Sequence, residues 1–240
     1  MVHENNQITI PSEFSNELAE ETGIHIGDGS MNLYKSKGKN HWVYTHSGHL
    51  IDDKLYRDYV KHLMKKLYNI YPSESSRNNC VLLKYTKKEL ILFKHGIGLP
   101  MGKKINITIP KWIYSRSSYL INCVRGIVDT DGGIRFRKPF GSNLYKYPEI
   151  KISNTSEPLI NQIHRIFIKF GLKPSIHMDK IGNRRPNILY NVNLNGVKNL
   201  EKYIKIFGFS NDKHYAKYLH WKKFGYCLPK YKKNGGGEGI

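Results

Sequence analysis

The segments GIHIGDG at residues 23–29 and GIVDTDG at residues 126–132 are two versions of one pattern. Both have the form Gly-Ile-x-x-small-Asp-Gly. The residues after each copy also match: strands with alternating apolar and polar residues, an amphipathic helix, more strand and a shorter helix. The sequence therefore predicts one domain that occurs twice, because units of this size exceed the usual repeats of about 20–50 residues.

Each Asp-Gly pair ends a predicted helix, because glycine is the residue best suited to the left-handed conformation that closes helices. Small residues precede each acid at helical spacing, and they would let the two helices approach backbone to backbone. These small residues are Gly23, Gly27, Gly126 and Thr130. If the helices pack in this way, Asp28 and Asp131 emerge side by side at the same end.

Two adjacent carboxylates at helix C-termini repel each other, and the helix dipoles disfavour their charge further. A divalent cation resolves the conflict, and hard oxygen ligands select Mg²⁺ over softer metals. Beside a DNA phosphate such a metal can polarise the phosphoryl oxygen, activate water and stabilise the leaving oxygen. Asp28 and Asp131 are therefore the predicted metal ligands and catalytic acids.

The charge of the chain favours a nucleic-acid partner. Its 240 residues include 39 Lys and Arg against 19 Asp and Glu, a net charge of +20. A generally basic surface from an AT-rich genome is the alternative. The apolar runs are too short to cross a membrane, and the N-terminus has no secretion signal. The 3 dispersed cysteines suit neither a disulfide framework nor a zinc site, which indicates a reducing, intracellular compartment.

The two segments resemble the LAGLIDADG signature of the homing endonucleases over its last positions. The second copy has both acids of the signature, Asp129 and Asp131, whereas the first has Ile26 at the earlier acidic position. The resemblance extends over nearly the whole chain and includes GLPMGK at residues 98–103 and IPKW at residues 109–112.

The resemblance implies an α+β fold made of tandem αββαββα repeats. A pseudo-twofold axis is expected between the signature helices, with two antiparallel sheets forming a DNA-binding saddle. The expected N-terminal half spans residues 1–97, the linker 98–116 and the C-terminal half 117–228. A flexible basic and glycine-rich tail is expected at residues 229–240.

The resemblance also implies an activity. A single chain with two signatures is expected to be a monomer that makes a double-strand break with 3′ overhangs, across the minor groove of a long, asymmetric double-stranded DNA target. The expected reaction is Mg²⁺-dependent phosphodiester hydrolysis, with Mn²⁺ able to substitute. The expected location is the cytoplasm or nucleoid, or an organelle if an organellar genome encodes the chain.

Basic residues near the acids are a further expectation from the family, which often has one just past the third helix of each repeat. Lys103 and Lys213 match each other by repeat position and are the candidates for polarising the scissile phosphates or ordering water. Lys104 is an equally good neighbour. Plain phosphate contacts or a solvated surface are the alternative for all of these lysines.

The outward faces of the strands are expected to contact DNA bases, because a sheet fits the major groove. Assigning Met31, Leu33, Ile134 and Phe136 to the core leaves a second set facing outward. This set is Asn32, Tyr34, Trp42, Tyr44, Arg135, Arg137, Lys151 and Ser153. Arg184 and Arg185, in a predicted hairpin tip, are expected to grip the flanking backbone.

Three other functions remain open at this point. An intron maturase has this fold, binds intron RNA and needs no metal-binding acids. A non-cleaving DNA-binding protein of the same fold typically lacks one acid. The presence of both Asp28 and Asp131 favours the nuclease over these two. An endonuclease embedded in an intein is disfavoured, because no splicing cysteine or terminal His-Asn is seen and two repeats are expected to make up the whole domain.

Overall fold

The computed structural model describes residues 7–179 and 187–227, and the same order of elements occurs in it twice. The first unit consists of helix α1 (Asn16–Asp28), strands β1 (Gly29–Ser36) and β2 (Lys39–His49), helix α2 (Lys54–Tyr68), strands β3 (Ser73–Arg77) and β4 (Cys80–Tyr85), and helix α3 (Lys88–Gly96). The second consists of helix α4 (Ser117–Asp131), strands β5 (Gly132–Arg137) and β6 (Tyr147–Asn154), helix α5 (Glu157–Lys169), strands β7 (Pro174–Asp179) and β8 (Leu189–Asn195), and helix α6 (Val197–Ile206).

Each unit contains one four-stranded antiparallel sheet, in the orders β1-β2-β4-β3 and β5-β6-β8-β7. The predicted tandem αββαββα fold is confirmed. Two further elements are a 3-10 helix (Lys111–Ser115) before α4 and an additional helix α7 (Asp212–Phe224) after α6. Within the two described ranges, no helix is both long and apolar enough to span a bilayer.

Helices cover one face of each sheet, and their apolar residues form the core. In α5 the residues at helical spacing, such as Ile160, Ile163 and Phe167, are fully buried against β6, β7 and β8. Each such side chain contributes roughly 1.5–3 kcal/mol when it is removed from water. The opposite face of each sheet is left open and carries mainly polar residues.

The two units meet where α1 packs against α4, and the contact is made by backbone atoms. A Cβ atom at Gly23 would lie 2.0 Å from the carbonyl oxygen of Cys123, and one at Gly126 would lie 2.4 Å from that of Glu20. No side chain larger than hydrogen fits at either position. The small residues predicted to allow a close approach of the helices therefore do so.

Neither signature helix ends in the left-handed glycine that the sequence predicts, since Gly132 at the end of α4 has φ −134°. Gly29 ends α1 in an extended conformation with φ −81°, not in the left-handed one. Glycine is required there by close packing instead, since a Cβ atom would lie 2.6 Å from the Cα of His25. The sequence Thr-x-x-Glu at residues 86–89 has the pattern of a capping box but forms none, because α3 begins at Lys88 and its N-cap, Lys87, makes no side-chain cap hydrogen bond.

A buried ion pair joins α3 to α1 in the first unit. Lys94 is 0% exposed and donates hydrogen bonds to both carboxylate oxygens of Glu21, one of them at 2.6 Å. The hydroxyls of Tyr44 and Tyr68 donate to the same carboxylate, each at 3.2 Å. Burial lowers the pKa of Lys94, whereas the charge of Glu21 raises it. Removing one member of the pair would therefore leave an uncompensated charge in the core.

The equivalent positions of the second unit are occupied by apolar residues, Val124 in place of Glu21 and Ile204 in place of Lys94. These residues suggest the substitutions that would test the pair. We expect Lys94→Ile to lower the free energy of unfolding by roughly 3–5 kcal/mol, because the carboxylate stays buried without its cation. The double variant Glu21→Val with Lys94→Ile should recover part of that loss. Urea unfolding of the parent and both variants measures this. A double variant less stable than the single one would contradict the prediction.

Two buried histidines lie between α1 and β2. His25 stacks on Tyr44 with ring centroids 5.1 Å apart, and His46 lies opposite Gly29 in the sheet. Neither ring has a hydrogen-bond partner among the described residues. Burial lowers the pKa of His25 well below its ordinary range and that of His46 to about 4, because a charged imidazole would lose its hydration.

These shifts predict a loss of stability in acid. In the unfolded chain His46 has a pKa of 6.5, whereas in the folded protein its pKa is about 4. The contribution of neutral His46 to stability is therefore fully present above pH 6.5 and is lost as the pH falls from 6.5 to about 4. At about pH 5 the loss from His46 is on the order of 2 kcal/mol.

The measurement is urea unfolding of the parent and of His46→Gln, which does not titrate, at about pH 7.5 and about pH 5. The drop in stability between the two conditions should be smaller in the variant. An equal drop in both proteins would contradict the assignment of a neutral buried His46.

Candidate active site between the paired helices

Asp28 and Asp131 are the last residues of α1 and α4, and the packing of the two helices brings them together. A Cβ atom at Gly27 would lie 1.9 Å from Oγ1 of Thr130 and 3.4 Å from the backbone nitrogen of Asp131. Oγ1 of Thr130 turns back and donates to the carbonyl of Gly126 at 2.8 Å. The helix ends are therefore in direct contact, and the two carboxylates emerge beside each other, as the sequence predicts.

The carboxylates share a partly buried environment. Burial, and then the negative charge of Asp131, raises the pKa of Asp28 to about 7. Burial also raises the pKa of Asp131, against the charge of Lys104 and a hydrogen bond of 2.7 Å from Nδ2 of Asn154. A pair of acids that resists full ionisation in this way is a place where additional positive charge is stabilising.

Lys104 supplies one such charge. Its ammonium donates to the carbonyl oxygens of Ile26, at 2.8 Å, and of Gly27. A cation is stabilised there, since the C-terminal end of a helix carries partial negative charge. Burial lowers the pKa of Lys104, and the charges of Asp131 and Asp28 raise it.

The position of Lys104 corrects the expectation for its neighbour. Lys103 is exposed, whereas Lys104 is partly buried beside the acids. The segment is held by a hydrogen bond of 2.7 Å from the backbone nitrogen of Gly102 to the carbonyl of Met31. The structure places Lys104, rather than Lys103, in contact with the end of α1 beside the acids. Matching the two repeats by position had selected Lys103 instead.

Lys213 lies near Asp28 from the opposite side, and its charge lowers the pKa of that acid. Its ammonium donates to Oδ1 of Asp53 at 2.5 Å, an ion pair between α7 and the residue that precedes α2. Asp53 also accepts a hydrogen bond of 2.8 Å from the backbone nitrogen of His49. No sequence signal marks Asp53, because an aspartate before a helix is an ordinary capping residue.

Asp129, the acid of the second signature that has no acidic counterpart in the first, is buried and has a structural role. Its Oδ2 accepts hydrogen bonds from the backbone nitrogens of Ser210, at 2.8 Å, and Asn211, at 3.2 Å. Nδ2 of Asn211 donates to the backbone carbonyl of Asp129 at 3.1 Å. Asp129 thus fixes the turn from which α7 begins, and with it the position of Lys213.

The donors around the acids suit a hard divalent cation. They are the carboxylates of Asp28 and Asp131, whose donor atoms are all oxygens. Among the described residues no group of three or more His, Cys, Asp and Glu side chains could hold a metal. Carbonyl and solvent oxygens would therefore have to complete the coordination, as is usual for Mg²⁺.

On the first sheet, strand register overturns part of the predicted DNA face. Met31 lies opposite Tyr44, so both point to the core, and Tyr44 is 1% exposed with its hydroxyl bound to Glu21. Trp42, opposite Leu33, is on the same core side. The prediction that Tyr44 and Trp42 face outward is wrong, because alternation within β2 defines two faces but not which of them is buried.

Asn32 and Tyr34 are exposed on the open face of this sheet, as expected. Val43 lies opposite Asn32 on that face, although alternation in β2 favours the core for this apolar residue.

On the second sheet the predicted residues Arg135, Arg137, Lys151 and Ser153 all lie on the open face. The other members of this face were not predicted. They include Tyr147 and Glu149 on β6, Asn191, Asn193 and Asn195 on β8, and Ser175, His177 and Asp179 on β7. The asparagines alternate with buried Val192 and Leu194, a signal that is present in the sequence. Arg184 and Arg185 lie outside the described residues, as does the tail at 229–240.

Known proteins resemble this chain in sequence and in fold. Residues 118–208 match the family model described as a LAGLIDADG-like domain. A replication factor C small subunit of Methanocaldococcus jannaschii is 25% identical over 210 residues, which is 87% of this chain. The chain spans about a tenth of the length of that relative, 10%.

The structural similarity extends over both units. The crystal structure of I-DmoI in complex with DNA and Mn has a TM-score of 0.59 and 16% identity, covering 81% of this chain and 97% of that one. The LAGLIDADG homing endonuclease I-GzeII in complex with its DNA target has a TM-score of 0.59 and 11% identity, covering 89% and 90%. The LAGLIDADG meganuclease I-AabMI bound to uncleaved DNA has a TM-score of 0.58 and 11% identity, covering 88% and 90%.

These similarities confirm the resemblance inferred from the two signature segments: residues 118–208 match the model of a LAGLIDADG-like domain, and the chain as a whole has the two-unit fold seen in the single-chain LAGLIDADG homing endonucleases.

Proposed function

We propose that this chain is a site-specific DNA endonuclease that hydrolyses both strands of a long, asymmetric target. The observation that carries the proposal is the contact between α1 and α4, which brings Asp28 and Asp131 together at one point. Two carboxylates at the end of paired helices suit a metal-dependent phosphodiesterase. The net charge of +20 suits a polyanionic substrate.

The proposed cofactor is Mg²⁺, with Mn²⁺ able to replace it. The related fold of I-DmoI was crystallised with DNA and Mn and with DNA and Ca, and a variant of it with target DNA in the presence of Mg. Asp28 and Asp131 would hold the ion in this chain. When bound, the metal supplies a Lewis acid for the phosphoryl oxygen and lowers the pKa of water.

The chain's own residues would position and neutralise the substrate. Asp28 and Asp131 would each face one of the two scissile phosphates. Lys104, already held against the end of α1 by its hydrogen bonds to Ile26 and Gly27, would neutralise charge that develops on a phosphate. Lys213 would serve the same purpose from α7, with Asp53 holding its ammonium in place.

The arrangement of the two units supports the remaining parts of the proposal. The open polar faces of the sheets would lie along the major groove on either side of the acids, as a saddle, with the acids over the minor groove. Two unlike units in a single chain would bind an asymmetric site as a monomer, and cuts across the minor groove would leave 3′ overhangs. Such a substrate places the protein where DNA is, in the nucleoid or in an organelle.

The unit boundaries at residues 97–98, 116–117 and 228–229 remain proposals.

The ion pair between Lys213 and Asp53 connects the two units, in addition to the contact between α1 and α4.

The acids provide the first test of this function. We expect Asp28→Asn and Asp131→Asn each to slow cleavage by at least ~1000-fold while DNA binding is retained, because charge is removed from the metal site but not from the DNA-binding faces. The substrate is obtained by selecting cleaved molecules from a random DNA library in Mg²⁺. Cleavage rates and equilibrium binding are then measured on that target.

The matched control is Asp58→Asn, the same substitution at an exposed acid of α2 that pairs with Lys61. It should cleave at the parental rate. If both active-site variants also cleave at the parental rate in Mg²⁺, the assignment of Asp28 and Asp131 to the metal is wrong.

The adjacent lysines provide the second test. Lys104→Met should slow cleavage by about 100-fold with little change in DNA affinity, because the charge removed acts on the transition state. Lys103→Met, one residue away and exposed, should change the rate by no more than about 3-fold. Single-turnover cleavage and equilibrium binding are measured for both, with thermal melting to verify folding. Equal losses of rate in the two variants would show that Lys104 has no special role.

A further inference from the structure

The open face of the second sheet contains one acid at its centre, Glu149. This residue is 1% exposed although it lies on the face opposite the core. Arg135, directly across from it in the sheet, donates a hydrogen bond from Nε to its Oε2. Nδ2 of Asn193 donates to its Oε1 at 2.8 Å, and Nε of Arg137 lies 3.7 Å from Oε2. Arginine and asparagine side chains thus bury the carboxylate from above.

The position of this acid works against DNA affinity. A carboxylate on a surface that approaches phosphates is repelled by them, and burying it costs hydration. A well-packed apolar pair at the same place would be at least as stable as the ion pair. The first sheet has an uncharged pair at the matching position, Asn32 opposite Val43, and needs no ion pair there. Stability alone therefore does not account for Glu149.

The arginine side chains indicate what the acid does. The side chain of Arg135 is 47% exposed even though its Nε is engaged by Glu149. The guanidinium is planar, so fixing Nε fixes the direction of the two terminal nitrogens, which remain available to solvent. Two parallel N–H donors held in one direction match O6 and N7 of guanine. The carboxylate itself is too buried to reach a base.

We propose that Arg135 reads a guanine in the half of the DNA target that lies against the second sheet, and that Glu149 is the positioning residue that aims it. Arg137 is the less suitable reader, since one of its terminal nitrogens, Nη2, donates to Oδ1 of Asn195 at 2.9 Å. The inference rests on the proposed endonuclease function. It adds that the two half-sites are read unequally, because the first sheet has no such ion pair at the matching position.

The experiment compares base preference in the parent, Glu149→Gln, Arg135→Met and the double variant. Cleaved sites are selected from a random library in Mg²⁺. Binding to the resulting target and to its single-base variants is then measured in an Asp28→Asn background, so that no DNA is cut. Thermal melting of each protein verifies that it is folded.

The parent should prefer guanine at one position of the second half-site by about 10-fold or more. Glu149→Gln should reduce that preference to about 3-fold or less, and leave the preferences in the first half-site unchanged. Affinity for unrelated DNA should be equal or higher, since a negative charge has been removed. Adding Glu149→Gln to Arg135→Met should change the preference at that position no further, because the acid acts through the arginine.

Other outcomes would overturn the inference. An unchanged preference in Glu149→Gln would show that the acid does not aim Arg135. Equal loss of preference in both half-sites, accompanied by a lower melting temperature, would show that its role is purely structural. If the parent cleaves and binds no DNA from the library, the proposed function fails together with this inference, whereas either of the first two results leaves that function standing.

Discussion

Backbone contact between α1 and α4 is the constraint on which the rest of the structure depends. Gly23 and Gly126 each lie against the main chain of the other helix, so neither accepts a Cβ atom without displacement of the backbone. This contact brings Asp28 and Asp131 close enough for the charge of Asp131 to raise the pKa of Asp28. It also determines where the two sheets begin, since β1 and β5 each start at the residue after the acid. The candidate site and the open faces of the two sheets are thus both positioned by the same pair of helices.

The parts of the molecule that could be predicted from sequence are those specified by a repeated local pattern. Two copies of Gly-Ile-x-x-small-Asp-Gly, with matching periodicity after each, were sufficient for the fold and for the pairing of Asp28 with Asp131. The register of the strands, and with it the buried face of each strand, was harder to predict from the sequence. Tyr44 alternates correctly with its neighbours, yet its face is decided by pairing with Met31 and by the buried carboxylate of Glu21. Neither partner is local in sequence.

The same limit applies to the charged residues around the site. Lys104 rather than Lys103 approaches the acids because of how the segment after α3 is anchored, and repeat position could not distinguish the two. Asp53 and Lys213 belong to different units, and only the assembled fold pairs them. Asp129 belongs to the signature but orders the start of α7 and, through it, Lys213. The second unit thus contributes a structural acid for which the first has Ile26.

At Gly23 and Gly126 the α1–α4 contact is made by main-chain atoms rather than side chains, and this has a mechanical consequence. A contact made by flexible side chains can shorten or lengthen as they change rotamer, but one made by main-chain atoms cannot. The separation of Asp28 and Asp131 is therefore constant. In the proposed endonuclease, the distance between the cuts in the two strands would depend on the helix pair alone. The sheets could evolve toward new target sequences, or be recombined with another half that carries the same glycines, without changing that length.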